Sequence, residues 1–244
     1  MRKEQFIEGS YYHIYNRGNH KMAIVRDEAD QWRFMQVLRF LNDAQTSGNL
    51  LRNLARLEPG SNQLESVFEL GWPANWPEKN PLVKILCYSL LPNHFHLLIK
   101  EIISGGIMKF MHKLGTSYAN FFNLKYQEVG RIFQGPYKAK LVKEENYLKY
   151  LCIYIQVINV LELFPGGLEM AMRDFEKAMK FIKQYQFAGN PDYLGLRDSL
   201  IIDKDVLGEF FSTPEQYQEY IRDILFGDEK NYDFNILPKG LVID

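Results

Sequence analysis

A β-hairpin is predicted in the middle of the chain, and it limits the folds that the chain can adopt. Two apolar runs, residues 83–91 and 95–100, are separated only by a Pro-Asn turn. Turn-forming residues between two apolar runs predict adjacent antiparallel strands. Residues two apart on a strand point to the same side, so His94 and His96 share one face. The hairpin therefore presents two imidazoles side by side, in a chain that has five histidines.

Two neutral imidazoles in this arrangement suit the chelation of one cation. Each ring presents one nitrogen to the ion while an acceptor holds the other nitrogen. The alternative is a pair of polar residues on a half-exposed strand, and an isolated His-x-His has low specificity. A histidine-triad nucleotide hydrolase needs a further histidine two residues on. Leu98 stands there, which argues against that class of enzyme.

The rest of the pattern alternates strands with amphipathic helices. A glycine pair precedes apolar residues spaced three or four apart, which predicts a helix from residue 107. The other predicted elements are a first strand at 11–18, a helix at 27–40, an insertion or loop at about 46–81, a strand within 130–142, a helix at 144–160, an apolar stripe from about 168 to 182 and a last helix near 214–225.

Composition narrows the class of protein. No apolar run reaches the roughly 18 residues of a membrane span, and the first residues lack the apolar segment of a signal peptide. We therefore expect a cytoplasmic protein with no membrane partner. Cys87 and Cys152 lie in apolar stretches without metal-type spacing, which indicates buried reduced thiols.

Charge is distributed unevenly along the chain. Residues 100–149 carry nine Lys or Arg against four Asp or Glu, whereas residues 190–244 carry five against twelve. This distribution favours a middle segment that contacts polyanions, although a merely solvated face gives the same count. Lys138 and Lys140 share one face of a predicted strand. They join Arg17 and Arg131 as candidates for nucleic-acid backbone contacts.

The helix predicted at 144–160 carries three tyrosines close to one stripe: Tyr147, Tyr150 and Tyr154. A phenol can attack a phosphodiester if a metal polarises the phosphate and eases proton loss. The chain has fifteen tyrosines, so packing is the alternative for each of them.

Several segments in the right order resemble the REP-associated tyrosine transposases, a branch of the HUH single-strand nucleases related to the single-tyrosine insertion-sequence transposases. They are YYHIYNRGN, CYSLLPNHFHLLIK, LGTSYANFFNLKYQEVGRIFQGPYKAKLV and YLKYLCIYIQ, and NPDYLG is similar to a piece that commonly follows the catalytic domain. The likeness covers roughly residues 10–162, interrupted by the insertion.

The resemblance implies an α+β fold of the ferredoxin-like or RRM-like kind, with helices packed on an antiparallel sheet. We expect an HUH nuclease domain at residues 1–165 and a helical C-terminal appendage at 166–244. The resemblance also implies a single-strand DNA endonuclease and strand transferase that acts at hairpin DNA. In this mechanism a tyrosine forms a 5′-phosphotyrosine link and releases a 3′-hydroxyl, with Mg²⁺ or Mn²⁺ as cofactor. A homodimer is possible, because some relatives complete a site across two copies.

Residue by residue, the resemblance assigns His94 and His96 to the metal and Tyr154 to the nucleophile. The family usually places an amide ligand four residues after the tyrosine, followed by proline, but here Ile158 stands at that spacing. Asn159 is one place later, about 140° round a regular helix from Tyr154. Either a one-residue π-bulge brings Asn159 to the metal, or the ligand has been lost.

These two alternatives correspond to two functions. With Asn159 in place, the chain is an active hairpin-DNA transposase. With the ligand lost, it is a domesticated, catalytically weakened protein that binds hairpin DNA or RNA. A covalent DNA adduct that depends on Tyr154 distinguishes the two.

Overall fold

The computed structural model describes residues 6–46, 71–74 and 76–227. Four strands form one antiparallel sheet in the order β2-β3-β1-β4. The strands are β1 (Tyr11–Arg17), β2 (Val83–Leu90), β3 (His94–Glu101) and β4 (Lys138–Val142). Helix α1 (Glu28–Phe40) connects β1 to β2, and α2 (Gly106–Tyr126) connects β3 to β4. This βαββαβ order is the ferredoxin-like topology, so the predicted α+β fold class is confirmed.

The first face of the sheet is covered by α1 and α2. Apolar residues alternate along the strands and meet the buried stripes of both helices. Helix α1 begins at Asp27, whose carboxylate accepts from the backbone N–H of Asp30. Members of this core include Tyr12, Ile14, Phe95, Leu97, Ile99, Phe34, Leu38, Phe110, Leu114 and Tyr118.

The second face carries the histidines at one end and a second core at the other. This core joins Leu98 and the β2 residues Leu86 and Cys87 to the helix that follows β4. That helix consists of α3 (Glu145–Ile153), a π-helical turn (Tyr154–Ile158) and the short α4 (Asn159–Leu161). Both cysteines are buried and free, as predicted.

The C-terminal helices complete the second core. They are α5 (Gly167–Ala171), α6 (Phe175–Gln184), α7 (Asn190–Tyr193), α8 (Leu207–Phe210) and α9 (Pro214–Phe226). The apolar stripe predicted from residue 168 is divided between α5 and α6. The division occurs because Asp174 caps a new helix, its carboxylate accepting from the N–H of Lys177.

A partly buried ion-pair cluster joins the appendage to the sheet. Asp205 accepts a hydrogen bond from the Tyr11 hydroxyl at 2.6 Å. It also accepts from Lys84 and Lys100, each at 3.0 Å. Since apolar residues from both sides of residue 165 share the second core, the predicted boundary at 165 divides a continuous core. The boundary stays a prediction.

Most of the predicted insertion, including residues 47–70, lies outside the described residues. Its described part, 71–74 and 76–81, contains neither helix nor strand. No helix among the described residues combines the length and the apolar character needed to cross a membrane.

Candidate active site

The sheet register brings the site residues together. His94 and His96 point to the second face of β3, together with Leu98. On the neighbouring strand β1, Arg17 lies directly opposite His94 and Tyr15 lies opposite His96. The prediction that the two histidines share one face is confirmed.

Both candidate ligands are buried and held through the same ring nitrogen. His94 is 8% exposed, and its Nδ1 lies 2.6 Å from Oδ1 of Asn93. His96 is 1% exposed, and its Nδ1 lies 2.8 Å from Nε2 of His13. Nε2 of His96 is buried and has no hydrogen-bond partner among the described residues. This orphaned nitrogen fits a site in which His96 binds a cation through Nε2.

The histidines are neutral in this environment. Burial, with the charge of Arg17 acting in the same direction, lowers the pKa of His94 to about 4. Burial and the neighbours His13 and His94 hold the pKa of His96 well below its usual value. At neutral pH each ring is therefore uncharged and keeps a lone pair on one of its two nitrogens.

Tyr154 lies beside the histidines of its own chain. Its ring is edge-on to His96, with ring centroids 5.9 Å apart and planes at 88°. It is also edge-on to His13 at 6.4 Å. Burial raises the pKa of Tyr154 above its usual value, and the charge of Glu162 adds to the effect. The phenol is therefore protonated at neutral pH unless a positive charge lies beside it.

A π-turn lies between Tyr154 and Asn159. The backbone N–H of Asn159 donates to the carbonyl of Tyr154, five residues earlier. An i→i+5 bond places the fifth residue nearly under the first, where a regular helix would place the fourth. Of the two alternatives that the sequence left open, a π-bulge or a lost ligand, the structure shows the π-bulge. Tyr154 and Asn159 therefore lie toward one side of the helix, although they are five residues apart where the family usually has four.

Asn159 is 1% exposed, and its Nδ2 has no partner among the described residues. Amide nitrogen and oxygen are assigned from their hydrogen bonds, so an orphaned amide nitrogen marks a place where the oxygen fits equally well. An amide oxygen there is a suitable cation ligand. Gln156 faces away, donating to the Tyr217 hydroxyl at 3.1 Å.

Three of the four candidate DNA-binding residues lie on the site face of the sheet. On β4, Lys138 pairs with Tyr15 and Lys140 pairs with His13. The ammonium of Lys138 lies 5.7 Å from the ring centroid of Tyr15. Arg17 lies opposite His94. Arg131 is exposed on the connection before β4, outside the sheet face.

Exposed aromatic rings can stack unpaired bases, but three aromatic residues of β1 and of the connection before β4 pack within the protein. Tyr15 is 5% exposed and stacks on His96 with centroids 5.6 Å apart. Phe133 packs edge-on against Phe95 at 5.8 Å. Tyr137 is half-buried against the first core. Packing is therefore the better interpretation for Tyr15.

Sequence reasoning missed His13. It is fully buried, its ring lies 5.1 Å from that of His96, and burial, with the charge of Lys140, lowers its pKa to about 3. The pairing of β1 with β3 brings it to the site, and that register is set by the folded sheet. One signal could have found it: in the predicted first strand, His13 lies on the same face as Tyr15 and Arg17.

The donor set is two imidazoles and an amide. Among the described residues, no group of three or more His, Cys, Asp or Glu is arranged to hold a metal ion. A cation here would therefore take a mixed nitrogen and oxygen set, with the remaining positions open to substrate.

Comparison with known proteins identifies the central segment. Residues 78–157 match the family model described as "Transposase IS200 like". This segment is similar to the sequences of IS200-like transposases. It contains His94, His96 and Tyr154 and ends just before Asn159, so the family predicted from sequence is confirmed over these residues.

One solved structure to which this chain is similar is titled "Structure of the REP associates tyrosine transposase bound to a REP hairpin". The two share 10% sequence identity and a TM-score of 0.44, over 80% of this chain and 85% of the other. No curated protein matches the sequence.

Proposed function

We propose that the chain is a metal-dependent single-strand DNA endonuclease and strand transferase that acts at hairpin DNA. The observation that carries this proposal is the position of Tyr154, edge-on to the imidazole of His96 within one chain. A hydroxyl beside a neutral imidazole that can hold a cation is an arrangement that suits cleavage of a phosphodiester by a tyrosine. The segment that matches the IS200-like family model contains His94, His96 and Tyr154, which supports this reaction class.

His94 and His96 would hold a divalent cation through Nε2, with the amide of Asn159 as third ligand. The orphaned nitrogens of His96 and Asn159 support this set. When bound, such an ion supplies Lewis-acid polarisation and neutralises phosphate charge. Mn²⁺ suits the mixed nitrogen and oxygen donors, whereas Mg²⁺ prefers oxygen, so Mn²⁺ is the better probe of the two expected ions.

Tyr154 is the proposed nucleophile. Its hydroxyl oxygen forms a bond to phosphorus while the bond from phosphorus to the 3′ oxygen breaks. The phenolic proton is matched by the proton that the departing 3′ oxygen gains, so the products are a 5′-phosphotyrosine and a free 3′-hydroxyl. The reverse attack by a 3′-hydroxyl rejoins DNA, which makes the reaction a strand transfer.

The basic residues on the sheet face are the proposed DNA contacts. Arg17, Lys138 and Lys140 line the face that carries the histidines. Cations on this face orient a phosphodiester backbone and offset its charge, without reading sequence. Arg131 is kept as a contact from the flanking connection. Single-stranded or hairpin DNA as the partner comes from the family resemblance.

Two features would favour the alternative function, a catalytically weakened protein that binds hairpin DNA or RNA: an Asn159 on the wrong side of the helix and an acidic C-terminal region. The π-turn argues against the first feature. Residues 228–244 of the acidic region lie outside the described part of the chain. The proposed site uses residues of one chain and needs no second copy. The homodimer and the cytoplasmic location stay predictions.

The test is incubation of the protein with a 5′-labelled or 3′-labelled single-stranded hairpin and Mn²⁺, followed by denaturing gel electrophoresis. We expect a covalent protein–DNA adduct carrying the fragment 3′ to the cut, which disappears in EDTA and in Tyr154→Phe. Tight binding without an adduct under any metal condition would overturn the proposal and favour the binder.

A further inference from the structure

The two candidate metal ligands are held by different kinds of partner. The amide nitrogen of Asn93 donates to the carbonyl of Lys21 at 3.3 Å, which turns its oxygen toward His94. Because that oxygen can only accept, Nδ1 of His94 carries the proton and its Nε2 lone pair is left free. His96 has a partner that either donates or accepts, because Nε2 of His13 lies 2.8 Å from its Nδ1. His94 therefore has a fixed tautomer, whereas the tautomer of His96 depends on His13.

Two proton arrangements satisfy the bond between the histidines. If His13 donates, His96 carries its own proton on Nε2 and cannot bind a cation there. If His96 donates from Nδ1, its Nε2 presents a lone pair. The second arrangement matches that of His94 and leaves both Nε2 atoms as ligands. A cation can select only this arrangement.

We infer that His13 is a positioning residue: its Nε2 accepts from Nδ1–H of His96 and fixes the tautomer and ring orientation that present Nε2 of His96 to a divalent cation. This inference deepens the proposed function and rests on it. His13 itself contributes no ligand, since its Nε2 lone pair accepts from His96 and its Nδ1 carries the proton of the neutral ring.

The surroundings of His13 argue against a packing role alone. The ring is fully buried between His96, Tyr15 and Tyr154. Its Nδ1 has no hydrogen-bond partner among the described residues. An unsatisfied buried nitrogen is destabilising, and an apolar ring would fill the space without that cost. The imidazole is explained if the bond to His96 is what the position requires.

The first test needs no variant. The wild-type protein, labelled with ¹⁵N in histidine, is examined by NMR with and without Mg²⁺, which is diamagnetic. We expect His96 to carry its proton on Nδ1 in the Mg²⁺-bound protein, coupled through the hydrogen bond to His13. A proton on Nε2 of His96 in that state would overturn the inference.

The second test measures Mn²⁺ affinity by electron paramagnetic resonance, without DNA. We expect His13→Phe, which removes the acceptor, to weaken binding about 10–100-fold. His13→Gln keeps an acceptor oxygen and should stay within a few-fold of wild type. His112→Gln is the matched control, because His112 is exposed on α2, and should change nothing.

Folded His13→Phe with wild-type Mn²⁺ affinity would overturn the inference, even if the wild-type protein forms the DNA adduct. Conversely, weakened Mn²⁺ binding in His13→Phe supports it even if no adduct is found, in which case only the nuclease proposal fails. Wild-type protein that binds no Mn²⁺ overturns both.

Discussion

The backbone N–H of Asn159 donates to the carbonyl of Tyr154 across a π-turn. This one bond reconciles a sequence in which the amide comes five residues after the tyrosine with a site that needs the two residues on one side of a helix. The turn packs against β2 and β3, so the sheet that carries the histidines also supports it. The π-turn therefore determines whether Asn159 can belong to the same site as Tyr154.

The π-turn predicts which residue can supply the amide. Asn159→Leu should weaken Mn²⁺ binding by at least about tenfold, whereas Asn159→Asp keeps an oxygen and should retain it. Moving the amide back one position, in the double variant Ile158→Asn and Asn159→Leu, should fail to restore binding. Restoration by the double variant would indicate a regular helix. Electron paramagnetic resonance titration gives the affinities, and circular dichroism checks the fold.

The basic sheet face predicts salt-dependent DNA binding. Lys138→Ala combined with Lys140→Ala should weaken hairpin binding roughly tenfold near 0.1 M salt and reduce the dependence of log K on log salt by about 0.7 per lost single-strand phosphate contact. Fluorescence anisotropy at several salt concentrations measures both quantities. Lys180→Ala, at an exposed position of α6, is the control and should leave both unchanged. An unaltered salt slope in the double variant would place the DNA elsewhere.

The hydrogen bonds to Asp205 should contribute to the free energy of unfolding, because they hold the C-terminal appendage to the sheet. The backbone of Asp205 has φ +47°, a left-handed conformation that Asn tolerates, so Asp205→Asn tests the charge without straining the chain. Losing the charge-assisted bonds from Tyr11, Lys84 and Lys100 should lower the free energy of unfolding by about 2 kcal/mol. Urea unfolding measures this.

Asp203→Asn is the matched control for Asp205→Asn. Asp203 pairs with Lys84 from a side chain that is 47% exposed, and such pairs contribute roughly 0–1 kcal/mol. Asn keeps an acceptor for the backbone N–H of Asp205, to which Asp203 is bonded. An effect of Asp203→Asn equal to that of Asp205→Asn would contradict the account of the cluster.

The same cluster predicts a pH dependence. Burial alone would raise the pKa of Asp205, but hydrogen bonds from Tyr11, Lys84, Lys100 and a backbone N–H outweigh it and hold that pKa below its usual range. A depressed carboxyl pKa gives stability that is fully present above about pH 4, the unfolded value, and is lost as the pH falls through the folded pKa. The difference in unfolding free energy between wild type and Asp205→Asn should be constant from pH 7 to about 5 and narrow below about 4. A gap that widens on acidification would contradict this.

The sequence predicts the sheet and the two candidate histidine ligands because their signals are local. The spacing of His94 and His96 sets their common face through the period of a strand, and the apolar stripe after Gly105 determines α2. His13 was missed because its approach to His96 depends on the register between two strands over 80 residues apart. The sequence left two alternatives for Asn159, a π-bulge that brings it to the site or a lost ligand, because helical periodicity does not reveal where a π-turn forms. Asp205 lies in an irregular segment whose contacts are long-range, and no local pattern marks it.

The most direct test of the central claim is to locate the DNA on the protein. The adduct formed with the hairpin and Mn²⁺ is digested with nuclease and protease, and the peptides are sequenced by mass spectrometry. We predict a single nucleotide-bearing residue, Tyr154, linked to a 5′-phosphate, with adducts intact in the neighbouring variants Tyr147→Phe and Tyr150→Phe. DNA attached to Tyr147 or Tyr150, or cleavage that persists without any covalent link in Tyr154→Phe, would contradict the account.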